Sequence, residues 1–199
     1  MEITTEIVKQ LRDKTGVSIM QCKKALEESF GDMDKAIMIL QKKSAEIAVK
    51  KGDRELGSGV VASYIHNTNR VGAMVELLCE TDFVSNNEEF KKLAYDIAMH
   101  VSASNPKFLK LEDVDIESKK MAEEMFTKEV SENSQGKSED IKAKMLEGKL
   151  SSYFKERALL EQSFIKNPDL TIRNLIESAV QKFGEKIELS NFVRYSISQ

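Results

Sequence analysis

The stretch ELLCETDFVSNNEEF, residues 76–90, is where the predicted fold changes from strand to helix. It opens with an apolar run typical of a strand and closes with polar residues that commonly start helices. Between the two, Asp82 and Phe83 stand side by side on a predicted surface turn. Either Phe83 packs back into the core of its own molecule, or the pair contacts another molecule.

Two strands are predicted before this corner. The runs GVVASYIH and RVGAMVELLCE are rich in β-branched and apolar residues, and the turn-like NTN separates them. One face of the second run carries Ala73, Val75, Leu77 and Cys79. The alternation predicts an antiparallel hairpin with one buried side. The closing run KIELSNFVRYSI is a further strand able to join this hairpin.

A strong amphipathic helix is predicted after the corner. Ser85 with Glu88, or Asn86 with Glu89, has the spacing of a capping box. The apolar stripe at helical spacing consists of Phe90, Leu93, Ala94, Ile97 and Val101. His100 lies beside this stripe, so we interpret it as a structural histidine.

The first fifty residues predict three short helices with tight turns. The boundary residues are Thr4, Gly16, Ser18, Gly31 and Asp32. Gly16 suits a left-handed helix end, and Ser18 with Gln21 has capping-box spacing. Three such helices make a bundle of minimal size, whose core is usually marginal alone.

The second of these helices carries two apolar residues that do not fit its buried stripe. The predicted stripe is Cys22, Ala25, Leu26 and Ser29. Met20 lies on the polar face, and Ile19 lies on the border between the two faces. The pair is either a harmless exposed contact or an anchor for a partner.

The predicted fold class is α+β: an N-terminal three-helix bundle, similar in size to ubiquitin-associated domains, then a small antiparallel sheet packed with helices. We assign the bundle to residues 1–52 and the core to residues 53–199, with a glycine-containing linker at 53–59. Within the core, residues 116–164 predict a helical hairpin that the polar break SENSQGKSED interrupts. TIRNLIESAVQKFG predicts one more amphipathic helix.

Composition narrows the class of protein. The 199 residues are 41% apolar and 32% charged, as in an ordinary globular protein. A net charge of −3 gives no basic stripe, so no direct nucleic-acid partner is expected. No window is long and apolar enough for a membrane span, and MEITTEIVKQ resembles no leader peptide. We therefore expect a cytoplasmic protein without a membrane partner.

Motifs for covalent chemistry are missing from the sequence. There is no phosphate-binding glycine loop, no nucleophile elbow and no paired Cys/His spacing, so no enzyme, metal site or cofactor is predicted. The corner remains the one candidate. Phe83 or Val84 could staple the helix start and Asp82 could bond within the turn, or the corner could project as a binding element.

Long stretches of the chain resemble the bacterial elongation factor Ts family. The signatures are LRDKTGVSIMQCKKAL (residues 11–26) and ELLCETDFVSN (residues 76–86), supported by AMHVSASNPKFL and LLEQSFIKNPDLTI. The resemblance covers essentially the whole chain. It indicates the short form of the family, since longer members have a duplicated core and an inserted coiled-coil hairpin. The stretch KKSAEI has Ser44 where members usually have glycine, which bears only on where the third helix ends.

The resemblance implies a non-enzymatic guanine-nucleotide exchange factor. Its implied partner is elongation factor Tu, GDP-bound and nucleotide-free, and a homodimer through the core is also implied. The implied partner-binding residues are Arg12, Ile19 and Met20. The residues implied to dislocate Mg²⁺ from the partner are Thr81, Asp82, Phe83 and Val84. The competing interpretation is a generic helical interaction module without exchange activity.

Overall fold

The structure, a computed structural model, describes residues 3–134 and 138–197. Its helices are α1 (Thr5–Thr15), α2 (Ile19–Glu28), α3 (Met33–Lys50), α4 (Asp82–Ser85), α5 (Glu88–Ser104), α6 (Ile116–Asn133), α7 (Glu139–Lys155) and α8 (Ile172–Phe183). Its strands are β1 (Ser58–Ile65), β2 (Val71–Cys79), β3 (Ser163–Phe164), β4 (Asn167–Thr171) and β5 (Ile187–Ser196). The predicted α+β class is confirmed.

The chain forms two compact units. The first unit runs to Ala103 and resumes at Ser163, so it holds α1–α3 together with the sheet and α8. The second unit is Ser104–Gln162 and holds α6 and α7. The division of the chain into domains that the sequence predicts, residues 1–52 and 53–199, stays a prediction. β1 begins at Ser58, so the last two residues of the predicted linker belong to the strand.

The N-terminal helices begin and end where the sequence predicts. The Thr4 side chain accepts a hydrogen bond from the Ile7 N–H, and Gly16 ends α1 in the left-handed region with φ 71°. The predicted stripe of α2 is buried, and its members are Cys22, Ala25, Leu26 and Ser29. The Cys22, Ala25 and Leu26 side chains meet α1 and α3 in one apolar cluster around Leu11 and Leu40. The predicted bundle is therefore confirmed.

The bundle is attached to α8 and to the β3–β4 segment within the first unit. Ser44 lies inside α3, which continues to Lys50, and the Ser44 hydroxyl donates to the Gln181 side chain. The Lys51 Nζ donates to the Gly184 carbonyl at 2.6 Å. The Asn167 side chain donates to the Lys14 carbonyl at 3.1 Å. These contacts support a bundle whose own core is small.

The sheet has the strand order β1–β2–β5 and is antiparallel throughout. The predicted alternation in β2 is confirmed, since its buried residues are Ala73, Val75, Leu77 and Cys79. β5 pairs with β2 as predicted. The opposite face carries exposed apolar side chains, namely Val61, Ile65, Met74, Val193 and Tyr195.

Both predicted caps for the helix after the corner are wrong. A separate short helix, α4, takes up Ser85, whose hydroxyl donates to the Asp82 carbonyl at 3.2 Å. Asn86 follows as the last residue of that turn. α5 begins instead at Glu88, where the Asn87 side chain accepts the Glu89 N–H at 2.8 Å. The predicted stripe is buried except for Leu93, which is half-buried.

His100 is fully buried in α5, and its Nδ1 accepts the Ile165 N–H at 3.4 Å. This placement agrees with the structural interpretation of the sequence.

The second unit is a pair of antiparallel helices. The Lys149 ammonium bonds the Glu129 carboxylate at 2.8 Å, and the Phe126 and Tyr153 rings lie 5.2 Å apart edge to face. Along α6, Phe126 comes before Glu129, whereas along α7 the partner of Phe126, Tyr153, comes after the partner of Glu129, Lys149. The two helices therefore run in opposite directions. The predicted break lies between α6 and α7, and its centre, residues 135–137, lies outside the described residues. The predicted helical stretch to residue 164 is too long, because α7 ends at Lys155 and β3 occupies Ser163–Phe164. No helix in the described ranges is long and apolar enough to cross a membrane.

Candidate functional site: an exposed corner and a helix start

The strand–helix corner Thr81–Val84 separates its two apolar side chains. Val84 is buried, at 3% exposure, so it is the residue that fixes the start of the helical segment to the core. Phe83 is 82% exposed and does not pack into its own molecule. A phenylalanine this exposed keeps nearly all of its apolar surface in water, which favours a contact with another molecule.

Asp82 takes part in the local turn through its backbone and not through its side chain. Its backbone carbonyl accepts the Asn86 N–H at 2.9 Å. Its carboxylate makes neither a hydrogen bond nor an ion pair with any residue in the described ranges. Asp82 and Phe83 instead border an open surface recess together with Asn86 and Asn87. The corner thus offers an acid and an aromatic ring side by side.

Hydrogen bonds from three directions hold the corner in place. The Thr81 N–H and hydroxyl both donate to the Glu185 carboxylate, at 3.0 and 2.6 Å. The Cys79 thiol donates to the Thr81 carbonyl at 3.2 Å. On the buried side, the Ser58 and Ser85 hydroxyls are 2.8 Å apart. Such ties mount exposed residues on a rigid support.

Ile19 and Met20 lie in the first turn of α2 and are 57% and 68% exposed. The Ser18 side chain accepts the Gln21 N–H at 3.4 Å and caps this turn. Val17, two residues before this pair, and Cys22, two residues after it, are buried. Two large apolar side chains are therefore held outward on a capped helix start.

Arg12 lies in the last turn of α1 with an exposed side chain. Its charge reaches Glu89 in the first turn of α5, where it adds to the effect of Lys182. The Lys182 ammonium, 2.5 Å from that carboxylate, is the main reason that the pKa of Glu89 lies below its ordinary value.

A cleft lined by Thr15, Gly16, Glu89 and Lys182 lies beside this charge cluster. Its volume of 160 Å³ is too small for an ordinary small-molecule ligand.

The described residues hold no cluster of three or more His, Cys, Asp or Glu side chains that could bind a metal. Cys22 and Cys79 are unpaired and buried, and burial raises the pKa of both thiols. Neither thiol is therefore poised as a nucleophile.

The sequence does not predict two residues that support the corner. Glu185 and Glu80 both bond across the point where β2 and β5 meet. Glu185 is 104 residues from Thr81 along the chain. Only the Gly184 helix stop hinted that Glu185 begins a new element.

These features define a class of protein: an α+β factor whose exposed apolar side chains stand on rigid supports, an arrangement typical of protein-binding surfaces. The sequence model of the family described as "Elongation factor TS" matches residues 1–199. The chain belongs to the elongation factor Ts family. The resemblance noted in the sequence is confirmed, and with it a place among translation elongation factors.

Curated relatives agree over nearly the full length. Elongation factor Ts of Thermodesulfovibrio yellowstonii is 47% identical over 199 residues, which is all of this chain and 98% of that protein. Elongation factor Ts of Thermosipho melanesiensis is 43% identical over 99% of this chain and 100% of its own. The Carboxydothermus hydrogenoformans protein is 45% identical over 99% of this chain and 90% of its own.

Proposed function

We propose that this chain is a guanine-nucleotide exchange factor for elongation factor Tu. It binds Tu carrying GDP, displaces Mg²⁺, promotes GDP release so that GTP can bind, and also binds the nucleotide-free partner. The observation that carries this proposal is the 82% exposure of Phe83 on a corner tied from several sides. The chain forms and breaks no covalent bond in this role.

The corner would act by displacing groups in the partner. A Mg²⁺ ion that bridges protein and phosphates is a large local charge holding the nucleotide. Phe83 entering a pocket moves neighbouring groups, and its burial contributes on the order of 2 kcal/mol. The Asp82 carboxylate, which has no partner among the described residues, is available to hold polar groups of the partner in their shifted positions.

The bundle would supply binding free energy to the same complex. Linkage requires that a factor that weakens GDP binding is itself bound more weakly in the presence of GDP, by the same ratio. Each tenfold of this mutual weakening corresponds to about 1.4 kcal/mol. Ile19, Met20 and Arg12 provide contact area outside the corner. The contacts of the corner can therefore act on the nucleotide site, while the bundle contributes to binding. The factor changes the rate of exchange and leaves its equilibrium unchanged.

The test is the release of fluorescent GDP from Tu at a fixed factor concentration. Phe83→Ala should slow the stimulated release by about tenfold, because most of a phenylalanine's burial energy is lost. Phe30→Ala is the matched control, since Phe30 is 88% exposed just after the end of α2. This variant should stimulate the release of GDP from Tu as fast as the parent. A Phe83→Ala variant as fast as the parent would remove the corner from the mechanism.

The same experiment distinguishes the generic interaction module. The exposed pair Ile19 and Met20 would suit a helical module as well as an exchange factor. A parent protein that binds Tu without accelerating GDP release would favour the module.

We also propose that two copies associate through the core, with the outward sheet face as the contact. Met74 on β2 and Val193 on β5 are directly paired and exposed, and Val61 lies on the same face. An exposed apolar sheet face suits a self-complementary contact. In sedimentation velocity, Met74→Lys should dissociate the dimer and Met38→Lys should not. A parent protein that sediments as a monomer at tens of micromolar would contradict the proposal.

A further inference from the structure

The Thr81 side chain does not cap the helix that it precedes. Thr81 has the extended backbone of an N-cap residue (φ −128°, ψ 159°), yet its hydroxyl makes no capping bond within α4. A threonine at this position usually accepts a bond from the first turn of its own helix. Here the hydroxyl donates outward to Glu185 Oε1 at 2.6 Å. The geometry of this turn is therefore set by a residue outside it.

Glu185 binds two donors of the same residue. Its second oxygen, Oε2, accepts the Thr81 N–H at 3.0 Å. Both bonds are made to an ionised carboxylate, and such bonds are stronger than neutral ones. Two bonds to one carboxylate fix the Thr81 peptide plane as well as its side chain, which sets the direction in which the chain enters Asp82 and Phe83.

A second carboxylate makes the reverse connection. Glu80 lies just before Thr81, and it accepts the Lys186 N–H from the residue after Glu185. The Arg54 guanidinium donates to both oxygens of Glu80, at 3.1 and 3.2 Å. Each side of this junction therefore supplies a carboxylate to the backbone of the other.

This junction, in which Glu80 and Thr81 bond with Lys186 and Glu185, lies just beyond the last residue pair of β2 and β5. Cys79 and Ile187 are the final partners of β2 and β5. Gly184 ends α8 in the left-handed region with φ 75°, and its carbonyl accepts the Lys51 Nζ at 2.6 Å. These contacts place Glu185 at the corner, so its position depends on the sheet and on α8 together.

We propose that Glu185 is a positioning residue for the corner, holding Thr81 so that Asp82 and Phe83 point at the partner. This inference rests on the proposed exchange function. Without Glu185 the corner would still end β2, but the Thr81 peptide could rotate. Asp82 and Phe83 would then spend less time in the orientation that acts on the nucleotide site, while Ile19 and Met20 would bind as before.

The test separates the maximal rate of GDP release from the factor concentration that gives half of it. Glu185→Ala should lower the maximal rate by about tenfold, equivalent to about 1.4 kcal/mol, because both hydrogen bonds that hold Thr81 are lost. The half-saturating concentration should stay within about twofold, because Ile19 and Met20 lie on α2, a different element of the fold. Glu185→Gln should recover most of the rate, since its amide oxygen can still accept the Thr81 N–H.

Glu188→Ala is the matched control. It removes a carboxylate from β5 that pairs with Lys186 at 3.5 Å, and its maximal rate should equal that of the parent. A second readout needs no partner: amide hydrogen exchange at Thr81 should be faster in Glu185→Ala than in the parent. A parent-like maximal rate or unchanged exchange at Thr81 overturns the inference, as does an equal loss in the Glu188→Ala or Glu185→Gln variant.

The outcome is distinguishable from a failure of the exchange proposal. If Phe83→Ala slows release and Glu185→Ala does not, only the positioning role is lost. If Phe83→Ala matches the parent, the corner has no role in exchange.

Discussion

Replacing Met20 with aspartate removes an exposed apolar contact from the start of α2. Met20 is 68% exposed, and fully burying a methionine contributes about 1.5–3 kcal/mol. The exposed share available to a partner is therefore worth about 1–2 kcal/mol. An aspartate would in addition have to lose water in the contact. We expect the dissociation constant for nucleotide-free elongation factor Tu to rise by at least about tenfold.

The same substitution should leave the fold intact. Residue 20 lies in the first turn of α2, where the α2 helix has no acidic residue. A negative charge at a helix N-terminus is favourable by about 0.3–1 kcal/mol. The midpoint of thermal unfolding should therefore stay the same or rise slightly, so weaker binding cannot be attributed to unfolding.

The assay is isothermal titration calorimetry with nucleotide-free Tu. Met38→Asp is the control, because Met38 is 67% exposed on α3 of the same bundle and thus matches Met20 in surface. Met38→Asp should bind like the parent. Equal affinity of the Met20→Asp variant and the parent would refute the anchoring role. Equal losses of affinity in the Met20→Asp and Met38→Asp variants would also refute it, because added charge anywhere on the bundle would then weaken binding.

Three further predictions concern stability and reactivity. Phe83→Ala should change the free energy of unfolding by less than about 0.5 kcal/mol, whereas Phe90→Ala, at a fully buried site, should cost about 3–5 kcal/mol in denaturant titrations; similar costs would contradict the assignment of exposure. The Lys186 N–H, followed by Arg54, lowers the pKa of Glu80 from its ordinary 4.5. Its contribution to stability is therefore full above pH 4.5 and is lost as the pH falls through the folded-state pKa. The stability gap between the parent and Glu80→Gln should shrink over that acid range, and a gap that is constant with pH would argue against the bond. Burial raises the pKa of Cys22 and Cys79, so iodoacetamide should label both thiols only after unfolding, as read by mass spectrometry; fast labelling of the native protein would contradict this.

Local patterns predicted much of the fold because they act over one or two turns. The spacing of apolar residues in α2 and the alternation in β2 each identified the buried face. Thr4 and Gly16 marked the ends of α1, since a cap and a left-handed glycine depend on adjacent residues only. Exposure of Met20 followed from the same periodicity, because a residue off the stripe faces solvent.

The corner was harder to predict, since its geometry depends on distant partners. Ser85 and Glu88 have capping-box spacing, but Ser85 is instead the last residue of α4. The tie between Thr81 and Glu185 joins residues 104 positions apart. No local pattern distinguishes such a pair from other surface residues, and the exposure of Phe83 rather than Val84 depends on which side of α4 meets the sheet.

The neighbours Phe83 and Val84 occupy opposite environments, one in solvent and the other in the core. A change at position 83 therefore needs no compensating change in the interior. A change at position 84 must first keep the chain folded. Substitutions at position 83 are therefore limited by what this side chain contacts outside the molecule, and substitutions at position 84 by packing inside it.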